Sequence, residues 1–310
     1  MMTRLRVGTR GSPLALRQTE LVLGRLKELR PEVEVEVAPI RTSGDRLAQA
    51  ALAESGGKAL FVKEIEEALL EGRVDLAVHS LKDLPAELPE RLCLAAFPPR
   101  EDPRDVLVSR QGGGLADLPA SAVVATSSLR RRAQLLARRP DLRIEQIRGN
   151  VDTRLRKLGD RLYDAIVVAA AGLGRLGLSP DTACPLAPDE FIPAVGQGIL
   201  AVEARARDRS LLDLLRGLDH EPTRWQAESE RAFLRHLGAS CHTPVAAHAL
   251  IRDGELRLAG MVAGLDGRRM IRGEVVGACE GAVLLGQKLA EDLKARGAQI
   301  ILDAARQRER

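Results

Sequence analysis

The feature that most constrains the fold of this chain is a repeated switch between two hydrophobic periods. RLRVGTR ends at Ser12-Pro13, a capping residue followed by proline at the first helical position, and a helix is expected from about Leu14 to Leu29. VEVEVAPI alternates as a strand, ALFVKEIEEALL is amphipathic with helical spacing, and VDLAVHS reads as a buried strand. This βαβ rhythm predicts a doubly wound parallel sheet. FPPREDPRD, rich in proline and charge, reads as a linker. A second block repeats the rhythm: strand SAVVATS, helix LRRRAQLLARR, strand RIEQIR, helix VDTRLRKL and strand YDAIVVAAAG. Another strand is expected near FIPAVGQGILAVEAR. From about Leu218, helix TRWQAESERAFLRHL, strands in ALIRDGELRLAGMVAG and RRMIRGEVVG, and a long terminal helix predict a small α+β domain with an antiparallel sheet.

A chain of 310 residues implies two or three domains, and 45% hydrophobic content supplies ample core. Aromatics are only 2%, so that core must be Leu, Ala, Val and Ile. A net charge of only +4 argues against a broad nucleic-acid or membrane surface. The kind of basic residue says more: seven of 47 are lysine and 40 are arginine, whose planar fork grips carboxylates and phosphates. Much of this excess reads as compositional bias, so only clusters carry weight. Cys93, Cys184, Cys241 and Cys279 form no CxxC and no metal spacing, so no metal is expected. MMTRLRVGTRGSPLAL lacks a signal-peptide core and no apolar run is long enough to span a bilayer. The chain reads as cytoplasmic, with reduced thiols.

In open α/β sheets, ligands collect at the carboxyl ends of strands and the amino ends of helices. Thr126-Ser127-Ser128-Leu129-Arg130-Arg131-Arg132 ends a strand and opens a helix, where three arginines oppose the helix dipole. An anion at that helix start would remove the conflict, whereas the plain alternative is a solvated basic turn. Arg148-Gly149-Asn150-Val151-Asp152-Thr153-Arg154 and Arg10-Gly11-Ser12 repeat the layout. Three such clusters point to a ligand with several acidic groups. In His79-Ser80-Leu81-Lys82-Asp83, a buried strand ends in Lys and Asp; Asp83 is placed like a catalytic carboxylate, or is simply an exposed turn residue. His79 reads as packed or hydrogen-bonded. Gly56-Gly57-Lys58-Ala59-Leu60-Phe61 looks like a mobile glycine-rich loop without the P-loop pattern.

The loop Gly238-Ala239-Ser240-Cys241-His242-Thr243-Pro244 sets a thiol beside an imidazole. Adjacent side chains in an extended segment point apart, and a position after a helix C-terminus does not favour a thiolate. Cys241 is therefore a poor member of a peptidase dyad, and from its surroundings alone reads as inert. Cys93 and Cys279, in apolar segments, read as inert too, and Cys184 lies in a polar loop.

Together these motifs resemble the porphobilinogen deaminase (hydroxymethylbilane synthase) family. The match runs through GTRGSPLAL, GGKALFVKEIEEALL, DLAVHSLKDLP, REDPRDVLVS, TSSLRRRAQL, RGNVDTRLRKL, AAAGLGRLGL, PAVGQG and the late cysteine loop. The resemblance implies a cytoplasmic monomeric transferase of haem and tetrapyrrole biosynthesis. It would join four porphobilinogen molecules head to tail, release ammonia each time, free hydroxymethylbilane with water, and hand it to uroporphyrinogen III synthase. It further implies a dipyrromethane cofactor bound to Cys241 by a thioether, although the loop departs from the family's usual Gly-Gly-Cys-Gln. Asp83 would be the catalytic carboxylate. Arg10, Ser12, Lys82, Thr126, Ser128, Arg130, Arg131, Arg148, Arg154 and Arg175 would hold carboxylates, with Gly149 and Asn150 adding polar contacts. Lys58 and Phe61 match a mobile loop, Asp45 is a weaker neighbour, and Arg132 has no counterpart. The implied fold has two domains like type 2 periplasmic binding proteins, at 1–98 with 199–216 and at 104–192, with a hinge near Pro98-Pro99 and Ala194-Val195. A third, α+β domain at 219–310 would carry the cysteine. Two other readings are a non-catalytic anion binder, which leaves Asp83 and Cys241 without work, and a nucleic-acid binder, which the near-neutral charge disfavours.

Overall fold

The computed structural model describes residues 3–42, 62–239 and 243–307. It contains strands β1 (Thr3–Arg10), β2 (Val33–Ile40), β3 (Leu76–Ser80), β4 (Leu92–Ala96), β5 (Asp105–Ser109), β6 (Val123–Ala125), β7 (Arg143–Glu145), β8 (Ala165–Ala169), β9 (Ala183–Pro185), β10 (Leu200–Arg205), β11 (Val245–Arg252), β12 (Glu255–Ala263) and β13 (Met270–Ala278). Two units result: Met1–Glu101 with Ile199–Arg224, and Asp102–Gly198 with Trp225–Arg310.

In the first unit the sheet order is β2-β1-β3-β10-β4. Ser12 Oγ accepts from the Ala15 N–H at 3.3 Å and Pro13 opens the helix Pro13–Leu29, as the sequence predicts. That helix buries Val22, Leu23 and Leu26, at helical spacing, against Leu5, Val7, Leu76, Val78 and Val202. A second helix, Lys63–Leu70, packs Ile65, Ala68 and Leu69 with Val74, Ala77 and Leu92.

The second unit repeats the pattern in the order β7-β6-β8-β5-β9. Only β2-β1-β3 and β7-β6-β8 are parallel; β10 runs against β3 and β4, and β5 against β8 and β9. The expected all-parallel sheets are therefore mixed. Both antiparallel strands are the first that the chain forms on entering a unit from the other, so neither follows a βαβ crossover within its own sheet. The expected class holds: two α/β sheets of one topology and an α+β C-terminal part.

That C-terminal part is the antiparallel sheet β11-β12-β13, preceded by the helix Glu221–His236. It shares a core with the helix Leu129–Arg138 and the Ile192 segment through Ala133, Ile192, Ala246, Met261 and Ala263. The long terminal helix is in fact two, Ala282–Ala295 and Ala298–Gln307. Between them Gly297 adopts φ +96, the backbone turn that ends a helix and that glycine takes without strain. Two further corrections are local: YDAIVVAAAG leaves its strand at Ala169 for a helix Ala170–Arg175, and Cys184 sits in β9 rather than a loop.

Candidate functional site

In the first unit the expected residues gather where β1 and β3 end. Arg10 closes β1, and Ser12 caps the next helix. Beside them β3 ends at Ser80 and passes into a tight turn, Leu81–Asp83, held by the Leu84 N–H on the Leu81 carbonyl at 3.1 Å. Gln18, from the helix Pro13–Leu29, donates to Ser80 Oγ at 2.8 Å and binds the two strand ends together. Arg10, Ser12, Gln18, His79, Ser80 and Asp83 line one cavity of ≈ 50 Å³. Asp83 is exposed, and no described residue bonds its carboxylate. Lys82 is half-buried next to it.

In the second unit the carboxyl ends of the parallel strands β6, β7 and β8 carry the other set. After β6, buried Thr126 accepts from the Ser128 N–H at 3.2 Å, and Ser128 Oγ accepts from the Arg131 N–H at 3.3 Å to cap the helix Leu129–Arg138. After β7 the chain passes Arg148 and turns at Gly149, whose φ of +111 suits only glycine; a Cβ there would come within 2.7 Å of Thr153 Cγ2. Asn150 precedes the helix Val151–Gly159, but its side chain makes no capping bond and is exposed. Arg148 is exposed as well. Arg154 Nε donates to the Gly149 carbonyl at 2.9 Å, which aims that guanidinium at the same turn. Arg175, closing the helix after β8, donates to the Gly198 carbonyl at 2.7 Å.

Arg130 and Arg131 are the exception. Expected to grip a ligand, they are 4% and 6% exposed and grip Asp105 of β5. Arg130 Nη1 reaches Asp105 Oδ2 at 2.7 Å and the Ile192 carbonyl at 2.7 Å; Arg131 binds Asp105 Oδ1 through Nε at 2.9 Å and Nη2 at 2.7 Å. Gln197 Nε2 adds a bond to Asp105 Oδ1 at 3.1 Å. Burial alone would raise the Asp105 carboxyl, but the two guanidiniums and Gln197 override it and hold it well below the ordinary carboxylate range. Charge at that helix start is therefore matched by a side chain of the protein. Arg132 is exposed, as expected.

The expected residues that the structure describes thus fall into two sets, one in each unit. Cys241, Lys58, Phe61, Asp45 and His242 lie outside the described residues. Sequence reasoning passed over Gln18, Asp105 and Glu203. Asp105 and Glu203 had a readable signal, since each is a lone acid in an apolar strand, DVLVS and LAVEAR. Both are fully buried.

Arginines and hydroxyls at strand ends, with an exposed carboxylate beside the first set, are the groups that an α/β fold offers to an acidic ligand. The chain belongs to the porphobilinogen deaminase family. A family pattern described as porphobilinogen deaminase, dipyromethane cofactor binding domain, matches residues 5–213, and one described as its C-terminal domain matches residues 225–295. The porphobilinogen deaminase of Pelobacter propionicus is 48% identical over 99% of this chain and 98% of that protein. That of Syntrophus aciditrophicus is 50% identical over 96% and 98%, and that of Nitratidesulfovibrio vulgaris 51% over 97% and 96%. Among solved structures, the chain is similar to an arginine-specific periplasmic binding protein of Salmonella typhimurium, with a TM-score of 0.40 and 13% identity over 70% of this chain and 91% of that one.

Proposed function

We propose that this chain is a transferase that condenses four porphobilinogen molecules head to tail, releases ammonia at each step, and frees hydroxymethylbilane by hydrolysis. The observation that carries this reading is the uncommitted Asp83 carboxylate in one cavity with Arg10 and Ser12. A ligand built from pyrroles brings N–H donors and many carboxylates. The donor set fits it: arginines for the carboxylates, and one free acid for the N–H groups and developing positive charge.

Arg10, Ser12 and Lys82 in the first unit, and Thr126, Ser128, Arg148, Gly149, Asn150, Arg154 and Arg175 in the second, would hold the dipyrromethane cofactor and the incoming substrate. When bound, the cofactor supplies the pyrrole end to which each substrate unit is joined. Asp83 would accept hydrogen bonds from pyrrole N–H groups and stabilise cationic character there. Arg130 and Arg131 would act indirectly, since their grip on Asp105 holds the helix whose N-terminal Ser128 faces the ligand. Cys241 would anchor the cofactor by a thioether, in a third domain spanning 219–310 beside domains at 1–98 with 199–216 and at 104–192. Chain crossings near Pro98-Pro99 and Ala194-Val195 would serve as a hinge, making room for the growing chain. The chain would work in the cytoplasm as a monomer and pass its product to uroporphyrinogen III synthase. Among the described residues no helix is long and apolar enough to cross a membrane.

Intact-protein mass spectrometry tests the reading. The purified protein should exceed its sequence mass by two pyrrole units, and Cys241→Ala should remove the excess. A bare sequence mass in a protein that consumes porphobilinogen would overturn it.

A further inference from the structure

Behind the cavity that holds Asp83 lies a second group of ionisable side chains, which the proposed reaction leaves unused. His79 lines the cavity from β3. Its Nε2 lies 3.0 Å from Glu203 Oε2 on β10, and the two side chains are 4% and 0% exposed. They sit diagonally across the β3–β10 ladder, where His79 pairs with Ala201 and Glu203 with Ala77. The helix Lys63–Leu70 covers this face through Ile65 and Ala68 and inserts Glu66, which is 9% exposed. Among the described residues, neither Glu66 Oε1 nor Glu203 Oε1 has a hydrogen-bond partner.

Two carboxylates and one imidazole in a dry interface cannot all carry charge, because buried charge is tolerated only when matched. Arg10 lines the same cavity as His79, and the other described charged neighbours are engaged with other groups. On the strand of Glu203, Arg205 is taken up by the Leu69 and Val74 carbonyls and by Asp75 and Asp208. On β4, Cys93 is half-buried, with its thiol pushed up by burial and by Glu203. Arg224 is bound to Asp219 and the Ala95 carbonyl. On the covering helix, Lys63 pairs with Glu67. Burying two acids beside one imidazole therefore favours keeping a proton on Glu66. Burial and the Glu203 charge raise the Glu66 carboxyl to about 7, although His79 opposes them.

We propose that Glu66, His79 and Glu203 form a proton store behind Asp83, with His79 passing the proton between the buried carboxylates and the cavity. This rests on the reading of the site given above. For each bond made, a pyrrole carbon loses its proton as the new C–C bond forms, and the substrate's amine departs with the electron pair of its C–N bond. The departing group leaves overall as ammonium, so the released proton balances the one carried off and no further reactant is required. The two proton movements need not coincide, and a store beside Asp83 bridges them. The cavity has room for a few waters to complete the path. Glu66 and Glu203 are positioning residues here, because they act through His79.

The test uses the cofactor-loaded full chain. The pH profile of kcat should show a step near neutrality that moves by about one pH unit or disappears in Glu66→Gln, with KM and the mass adduct unchanged. His79→Gln should lower kcat about tenfold or more at every pH. A profile identical to wild type in both loaded variants would overturn the proposal. Should either variant fail to fold, infrared titration of the wild type decides: a protonated-carboxyl C=O band must disappear as the pH rises through neutrality, and its absence at mildly acid pH sinks the idea. A protein without adduct or turnover refutes the functional reading instead, and the infrared titration still decides whether the cluster holds a proton.

Discussion

Asp83 and Asp105 are both acids beside cations, and the structure gives them opposite surroundings. Asp83 is exposed and uncommitted. Asp83→Asn should therefore lower kcat by about 10²–10³-fold, the scale for losing one group that meets transition-state charge. It should leave the melting temperature nearly unmoved, which thermal unfolding beside steady-state kinetics will show. Asp105→Asn should do the reverse first: it strands two buried guanidiniums, costs about 3–5 kcal/mol, and lowers the melting temperature by roughly 10 °C. Because the Asp105 carboxyl is depressed on folding, its stabilisation is complete above the unfolded value of about 3.9 and disappears only as the pH falls well below it. Denaturant titrations from neutral to strongly acid pH would show that loss in wild type. Both the Arg-rich turn and Asp105 were visible in the sequence, 25 and 26 residues apart. Their pairing was not, since periodicity says which face a residue takes and not which distant side chain meets it.

At the scale of elements, local signals were enough for the helices that start at Pro13 and Leu129 and for the parallel strands, but not for the short helix Ala170–Arg175. Ser12-Pro13 and Ser128 cap where the sequence says they should. The reversed strands β5 and β10 were harder to read, because an apolar run of five or six residues carries no direction. The packing of the helix Lys63–Leu70 on β3 and β10 has a consequence that stability measurements can check. Glu66 holds its proton more tightly folded than unfolded, so the folded state binds more protons between about pH 4.5 and 7. The Glu66 contribution to stability should be fully present below that window and be lost as pH rises through it. Glu66→Gln should flatten the decline, and chemical denaturation at a series of pH values would register the difference. An unchanged pH dependence in the variant would show that Glu66 titrates normally.

At the scale of the molecule, the C-terminal sheet is tied into the second unit by a buried acid. Glu230, on the helix Glu221–His236, accepts from the Gly196 N–H at 2.6 Å and from the Ala249 N–H at 2.7 Å. Those bonds pin the PAVGQG segment to β11, beside the core of Ala133, Ile192 and Met261. Glu230→Ala would leave two buried N–H groups unsatisfied at about 1–3 kcal/mol each. Calorimetry should show the melting temperature lower by roughly 5–10 °C.

What the sequence by itself determined is local or is carried by long motifs: the βαβ rhythm, the caps, the placing of Arg, Ser and Asp at strand ends, and the family. Tertiary structure alone decided which charges remain available. His79 meets Glu203 across 124 residues, and Arg130 and Arg131 are taken by Asp105 while Asp83 is left uncommitted. The reason is physical. A repeat of two or 3.6 residues sets which face a side chain occupies, whereas a buried charge is assigned its partner only when distant strands pack and water leaves.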